Sequence, residues 1–134
     1  MTVATDSPLP PRVRWSRTAL AVAAWLFAAA LLAQIFLAGR AAFGAPGYWL
    51  RHRSFVHAFE WLSPLAVLLA YLARASRRAK WMAWLTVLLL LAQYVTAGLP
   101  RTPAGQPWAA LHPVTGVLLF WAATELARGA RPRR

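Results

Sequence analysis

The chain has 134 residues, of which 60% are hydrophobic and 13% charged, and this composition excludes an ordinary soluble domain of this size. It contains no cysteine, which excludes disulfides, thiolate metal sites and thiol catalysis. The net charge of +12 would suit nucleic acid, but the cations lie between apolar segments, so a lipid bilayer is the expected partner and no nucleic acid is expected.

Four apolar segments follow one another along the chain, each about as long as the 20 residues that a membrane-crossing helix needs. They cover residues 18–39, 54–73, 80–99 and 107–127, all within one predicted domain, residues 17–129. Residues 1–16 are expected to be a disordered basic tail, and residues 130–134 form a second basic tail. Short connections make consecutive helices antiparallel, so the pattern predicts an all-α integral membrane four-helix bundle with up-down-up-down topology.

The cations are divided unequally between the two sides of this predicted bundle. Four lie on the side opposite the termini, namely Arg40, Arg51, Arg53 and Arg101. The other eleven lie on the side of both termini: Arg12, Arg14, Arg17, Arg74, Arg77, Arg78, Lys80, Arg128, Arg131, Arg133 and Arg134. Because cytoplasmic loops are enriched in Lys and Arg, this bias predicts that both termini are cytoplasmic and that the inner cations contact anionic lipid headgroups.

One sequence pattern occurs twice, at the ends of the first and third apolar segments. Residues 31–39 read LLAQIFLAG and residues 90–98 read LLAQYVTAG, so that Gln34 corresponds to Gln93 and Gly39 to Gly98. Each copy is followed by an apolar segment with a histidine near its start, His57 and then His112. The bundle is therefore predicted to be built from a duplicated two-helix unit.

The two histidines are expected at nearly the same depth, about 25 Å and 24 Å from the inner ends of their helices at 1.5 Å per residue. The second and fourth helices are diagonal in such a bundle, so His57 and His112 would reach toward each other across its interior. They are therefore predicted to ligate the metal ion of one b-type haem near the outer face, as a bis-histidine pair.

The remaining residues of the predicted haem site have supporting roles. Gln34 and Gln93 would orient the imidazoles or, alternatively, only join helices by hydrogen bonds. Gly39 and Gly98 would leave room for the macrocycle, and Glu60 would lie on the same face as His57. Cations of the outer side, Arg53 and Arg101 among them, would bind the haem propionates. His52, in a connection between two arginines, is expected to be a hydrogen-bonding group and not a ligand.

The segments LLAQIFLAG, FVHAFEW, LLAQYVTAG and ALHPVTG resemble an uncharacterised family of small four-helix bacterial membrane proteins, over residues 17–129. The second half is more distantly similar to haem A synthase, an enzyme of two four-helix halves in which histidines bind b-type haem near the outer face. The resemblance implies a bacterial cytoplasmic membrane protein in which His57 and His112 are axial ligands.

Three functions remain open at this point. The first is a haem-binding module that transfers electrons or handles haem or quinone, with a redox partner protein as a candidate partner. The second is a cofactor-free accessory or structural subunit. The third is a tetrapyrrole-modifying enzyme similar to the synthase, which would need a second haem or a homodimer to complete eight helices. The chain carries no hydrolytic motif and is not expected to be a stand-alone enzyme.

Overall fold

The computed structural model describes residues 9–99 and 102–130, and this part of the chain is helical without strands. Its elements are α1 (Pro11–Ala42), α2 (Tyr48–Phe59), α3 (Leu62–Leu72), α4 (Arg77–Gly98), α5 (Gln106–Ala109) and α6 (Leu111–Gly129). Four continuous spans, Pro11–Ala42, Tyr48–Leu72, Arg77–Gly98 and Gln106–Gly129, are long and apolar enough to cross a membrane. The predicted all-helical class with four spans is confirmed, and the spans indicate a multi-pass membrane protein.

Two prolines explain why the second and fourth spans are each divided into two helices. A proline has no N–H to donate to the carbonyl four residues earlier, and its ring clashes with that carbonyl. The carbonyl four residues before Pro64 is that of Glu60, and the break between α2 and α3 falls at Glu60 and Trp61. The carbonyl four residues before Pro113 is that of Ala109, where α5 ends, and α6 begins two residues later, at Leu111.

The structure corrects two of the predicted boundaries. Residues 11–16, predicted to be part of a disordered tail, form the first turns of α1, because a proline at the first helical position is already held at a helical φ. The predicted connection over residues 40–53 is much shorter, and α2 begins at Tyr48, whose amide N–H donates to the carbonyl of Ala45. Residues 1–8 and 131–134 of the predicted tails lie outside the described residues.

The spans pack through small side chains. α1 packs against α2, α3 and α6, and α4 packs against α3 and α6. One apolar cluster is dominated by alanines of several helices and includes Leu20 and Leu126, and a second surrounds Phe27, Phe59 and Leu119. Alanines allow helix backbones to approach closely, which matters in lipid because burial from water does not drive helices together there.

Polar contacts join the helices at the end of the bundle where α1 begins. The Arg17 guanidinium donates to the carbonyl of Ala73, just after α3, over 3.3 Å. Glu125 of α6 accepts from Arg78 of α4 at 2.8 Å and from Arg128 at 3.1 Å. The start of α1 therefore lies beside the end of α3, and the start of α4 beside the end of α6.

A buried hydroxyl pair between α3 and α4 yields a stability prediction. Thr86 Oγ1 donates to the carbonyl of Ala83 at 2.7 Å and therefore accepts from Ser63 Oγ, 2.9 Å away. Thr86→Val keeps the shape but leaves the Ser63 hydroxyl without its acceptor, and we expect it to lower the free energy of unfolding by about 1 kcal/mol. Equilibrium unfolding in mixed micelles measures the loss, and Ser63→Ala/Thr86→Val should lose less than the two single variants added together.

Candidate functional site

Gln34 and His52 form a reciprocal pair that joins α1 to α2. The Gln34 side-chain amide donates to the backbone carbonyl of His52 at 2.7 Å. In return, His52 Nδ1 lies 3.0 Å from the backbone carbonyl of Gln34. Because a carbonyl oxygen only accepts, Nδ1 must carry the proton. In a neutral ring, the lone pair of His52 is then on Nε2.

Gln93 and His112 repeat this arrangement between α4 and α6. The Gln93 amide donates to the backbone carbonyl of His112 at 2.8 Å and to the Thr115 hydroxyl. His112 Nδ1 lies 3.1 Å from the backbone carbonyl of Gln93 and 3.1 Å from Thr96 Oγ1. Thr96 donates its own proton to the carbonyl of Ala92, so it can accept from Nδ1 as well. His112 therefore also has a proton on Nδ1, and in a neutral ring its lone pair is on Nε2.

The two histidines of these pairs lie next to each other. Their ring centroids are 6.4 Å apart, and the ring planes make an angle of 73°. Trp49 packs edge-on against His52 with centroids 5.8 Å apart. Both histidines are partly buried, and neither Nε2 has a hydrogen bond within the part of the chain that the structure describes. The arrangement thus brings two imidazoles together, each with its Nδ1 bound to a backbone carbonyl.

His57 lies elsewhere, contrary to the predicted pairing with His112. It is on the outside of the bundle with 63% of its side chain exposed, and its ring stacks on Tyr94 at a centroid distance of 6.4 Å. The residue that meets His112 is His52, which lies in α2 and not in a connection as predicted. His57 lies five positions after His52 in the sequence. At about 100° per residue, its side chain points about 140° away from that of His52 around the helix axis.

The other predicted site residues divide between the two places. Gln34 and Gln93 hold His52 and His112, whereas Glu60 contacts His57 as expected from its spacing. A Cβ at Gly39 or Gly98 would meet no atom within 4 Å, so the structure leaves open space there.

Three outer arginines, Arg51, Arg53 and Arg101, are predicted to bind the haem propionates. Arg53 is exposed in α2, and Arg101 lies outside the described residues. Arg51 lies over the ring of Tyr48, at 4.8 Å from its centroid, and so does the fourth outer cation, Arg40, at 5.2 Å.

The separation between each glutamine and its histidine identifies His52 from the sequence, whereas the depth along the helix does not. Gln34 and His52 are 18 residues apart, and Gln93 and His112 are 19 apart. His57 is five residues further from its glutamine than His52 is. A comparison of these separations identifies His52 as the counterpart of His112.

The two glutamines are expected to contribute unequally to stability. Gln93 donates to two acceptors, whereas Gln34 donates to one and its Oε1 is buried without a hydrogen bond among the described residues. We expect Gln93→Leu to cost about 1–2 kcal/mol of unfolding free energy and Gln34→Leu less, because the latter also removes the unpaired oxygen. Unfolding of both variants in the same micelles measures the difference, and equal losses would contradict the asymmetry.

Fold and site together define an all-helical, multi-pass membrane protein with paired histidines at one end of the bundle. Residues 34–99 match the model of a family of unknown function (DUF6220), which supports the predicted resemblance to an uncharacterised family. The match begins at Gln34 and covers just under half of the 134-residue chain. No curated protein and no solved structure matches the chain. The similarity to haem A synthase stays a prediction.

Proposed function

We propose that this protein binds one b-type haem between His52 and His112 and serves in electron transfer. The observation that carries the proposal is the pair of imidazoles, 6.4 Å apart, whose Nδ1 atoms are both bound to backbone carbonyls. Histidines that ligate metals commonly donate their other ring N–H to a carbonyl or carboxylate, which fixes the tautomer and raises the basicity of the ligating nitrogen.

The spacing of the rings supports a shared metal ion. A bond of about 2 Å from metal to imidazole nitrogen, with about 1 Å more to the ring centre, gives roughly 6 Å between two rings on opposite sides of one ion. The observed 6.4 Å agrees with this value.

The number of protein ligands favours haem over a bare metal ion. Zinc in a structural site takes four protein ligands, and a catalytic zinc takes three. Within the described residues, no group of three or more His, Cys, Asp or Glu side chains could hold a metal. A haem, whose iron is already bound by its macrocycle, would need only His52 and His112 from the protein to hold it.

In this proposal His52 replaces His57 as the partner of His112. Gln34 and Gln93 each position a histidine through two hydrogen bonds. The backbone carbonyl of the glutamine binds the histidine Nδ1, and the side-chain amide of the glutamine binds the histidine backbone carbonyl. Haem would supply reversible one-electron transfer. A haem held by both His52 and His112 would suit electron transfer better than a synthase-like reaction.

The proposal extends to the topology of the bundle, its internal duplication and its orientation in the membrane. An up-down-up-down topology fits the contacts of α1 with α3 and of α4 with α6 at one end, and the glutamine–histidine pairs at the other. The repeated pairs also support a duplicated two-helix unit. The bias of cations supports cytoplasmic termini and a location in the bacterial cytoplasmic membrane.

A cofactor-free structural subunit is the second candidate, because one observation favours it. The glutamine and Nδ1 hydrogen bonds join α1 to α2 and α4 to α6 without any cofactor. If this is their whole purpose, replacing a histidine lowers stability and changes no spectrum.

The absorbance spectrum of the purified protein tests the proposal. After expression with ample haem, or after addition of haemin to the detergent-solubilised protein, we expect a Soret band that shifts on reduction and binding of one haem per chain. A protein that stays colourless, or whose bound haem is removed by passage through empty micelles, contradicts the proposal and supports the structural subunit.

A further inference from the structure

A pocket of about 360 Å³ lies where the start of α1 meets the end of α3. Gln34 is 22 residues further along α1 than Arg12, which places the pocket about 33 Å from the glutamine–histidine pairs. The pocket combines two cations with apolar and aromatic side chains. Six residues line it: Pro10, Arg12, Val13, Tyr71, Leu72 and Arg74.

The two arginines of the pocket have no anionic partner. Neither guanidinium of Arg12 and Arg74 makes an ion pair or a hydrogen bond within residues 9–99 and 102–130. Of the two carboxylates in this part of the chain, Glu125 is bound by two other arginines and Glu60 by His57. An arginine keeps its charge, so the pocket holds two cations whose charges a bound anion would balance.

The backbone of Arg74 indicates that this residue is not there to end the helix. Arg74 directly follows the C-cap of α3 and has a φ of 47°, the only positive φ outside glycine in the described residues. Glycine is usual at that position, because a side chain is disfavoured there. The carbonyl of Ala70 accepts from the Ala75 amide, and that of Ala73 accepts from Arg17. Because the helix end is satisfied without the Arg74 guanidinium, the strained arginine is a candidate for function.

The surroundings of the pocket match the headgroup level of a bilayer. Trp15 of α1 and Trp81 of α4 are exposed at this end of the bundle, and tryptophans are enriched at membrane interfaces. Tyr71 is half exposed, and Lys80 Nζ lies 4.9 Å from the centroid of its ring. A third cation therefore lies beside the pocket, next to a side chain that would also contact acyl chains.

We propose that this pocket binds an anionic phospholipid, with its phosphate between the guanidiniums of Arg12 and Arg74 and an acyl chain along Tyr71 and Leu72. Guanidinium groups bind phosphate oxygens through paired hydrogen bonds, and basic pockets between membrane helices hold anionic headgroups. The apolar lining and the headgroup depth favour a lipid over a soluble phosphate compound. The pocket does not involve the paired histidines, so this proposal and the haem proposal can fail independently.

A specific site differs from the general attraction of a basic surface for anionic lipids. General attraction depends on the number of charges and on distance, so any nearby arginine contributes to it. In a specific site, the two guanidiniums that contact the phosphate dominate. A zwitterionic lipid with a choline group would also bring a cation close to Lys80, so the site should prefer a lipid with net negative charge.

The test measures the first lipid bound to the full chain by native mass spectrometry from detergent micelles. Dioleoyl phosphatidylglycerol should bind at least about tenfold more tightly than dioleoyl phosphatidylcholine. Arg12→Gln/Arg74→Gln should weaken phosphatidylglycerol at least about tenfold, because it removes charge-assisted hydrogen bonds to the phosphate. The matched control is Arg14→Gln/Arg77→Gln, which removes two exposed arginines from the same end of the bundle. It should change the affinity by less than about threefold.

Arg74→Gly separates lipid binding from folding. Glycine adopts a φ of 47° without strain, so the free energy of unfolding in lipid-free micelles should not fall. The affinity for phosphatidylglycerol should nevertheless fall about tenfold, because one guanidinium is lost. A variant that loses stability and keeps its lipid affinity shows that Arg74 is structural, and it overturns the proposal.

Three other results also contradict the proposal. Equal losses in the two double variants show general attraction only. Equally tight binding of phosphatidylcholine removes the preference for an anionic lipid. Competition by glycerol phosphate at a concentration equal to that of the lipid shows that the pocket takes a soluble phosphate compound, since glycerol phosphate carries the phosphate without the acyl chains.

Discussion

His52→Ala and His112→Ala should each abolish the reduction-dependent Soret shift expected of the haem-loaded protein. Each substitution removes one of the two side chains that would hold the haem. Loss of a group that merely supports a metal ligand costs about 10–100-fold in metal affinity, so loss of the ligand itself should exceed about 100-fold. Haemin titration followed by absorbance measures this loss. Added imidazole should restore the spectrum of either variant, because it can occupy the space that the side chain leaves.

His57→Ala is the matched control for this experiment. It removes a histidine of the same helix as His52, but one that is exposed and stacked on Tyr94. Its haem affinity and spectrum should equal those of the unmodified protein. If His57→Ala loses the spectrum and His52→Ala retains it, the assignment of His52 is wrong and the arrangement predicted from depth is restored.

Ala83→Leu should produce the largest loss of stability among single substitutions in α4. Ala83 is fully buried and lies in the alanine-rich cluster with Ala70 and Ala127. Added carbons in a packed interior displace neighbouring side chains and backbones at a cost of about 1–3 kcal/mol. The cost here should be at the upper end, because alanines on several helices set the distance between the backbones. Unfolding in mixed micelles measures the change.

Ala97→Leu is the control for added volume on the same helix. Ala97 is exposed, so the larger side chain extends away from the neighbouring helices and the unfolding free energy should change by less than about 0.5 kcal/mol. If both variants lose the same stability, close packing at Ala83 does not explain the effect, and a change in helix propensity or insertion does.

The apolar spans could be predicted because their length and composition follow from the thickness of a bilayer. The helix breaks were predictable in kind, since Pro64 and Pro113 cannot continue the hydrogen bonds of a helix. The start of α2 was harder to predict, because the arginines around His52 are typical of a connection. In the structure, the carbonyls of Ala45 and Pro46 accept the first hydrogen bonds of the helix. Charged residues are compatible with a helix that continues past the apolar region.

The pairing of the histidines could not be obtained from depth alone. Depth along a helix follows from residue number, but the direction of a side chain also depends on how the helix is rotated. In a soluble helix the apolar face reveals that rotation. In a membrane span the face toward lipid is as apolar as the face toward the bundle, so the sequence pattern does not show whether His57 points inward or outward.

The amino-acid sequence by itself determined four membrane-length helices, two proline breaks and a repeated glutamine followed by histidine, because each depends on local geometry or on the solvent around the chain. The tertiary structure alone decided that His52 meets His112 and that Arg12 and Arg74 line one pocket. The reason is that each pair comes from separate parts of the chain, and close packing of alanines sets how the helices are turned toward one another.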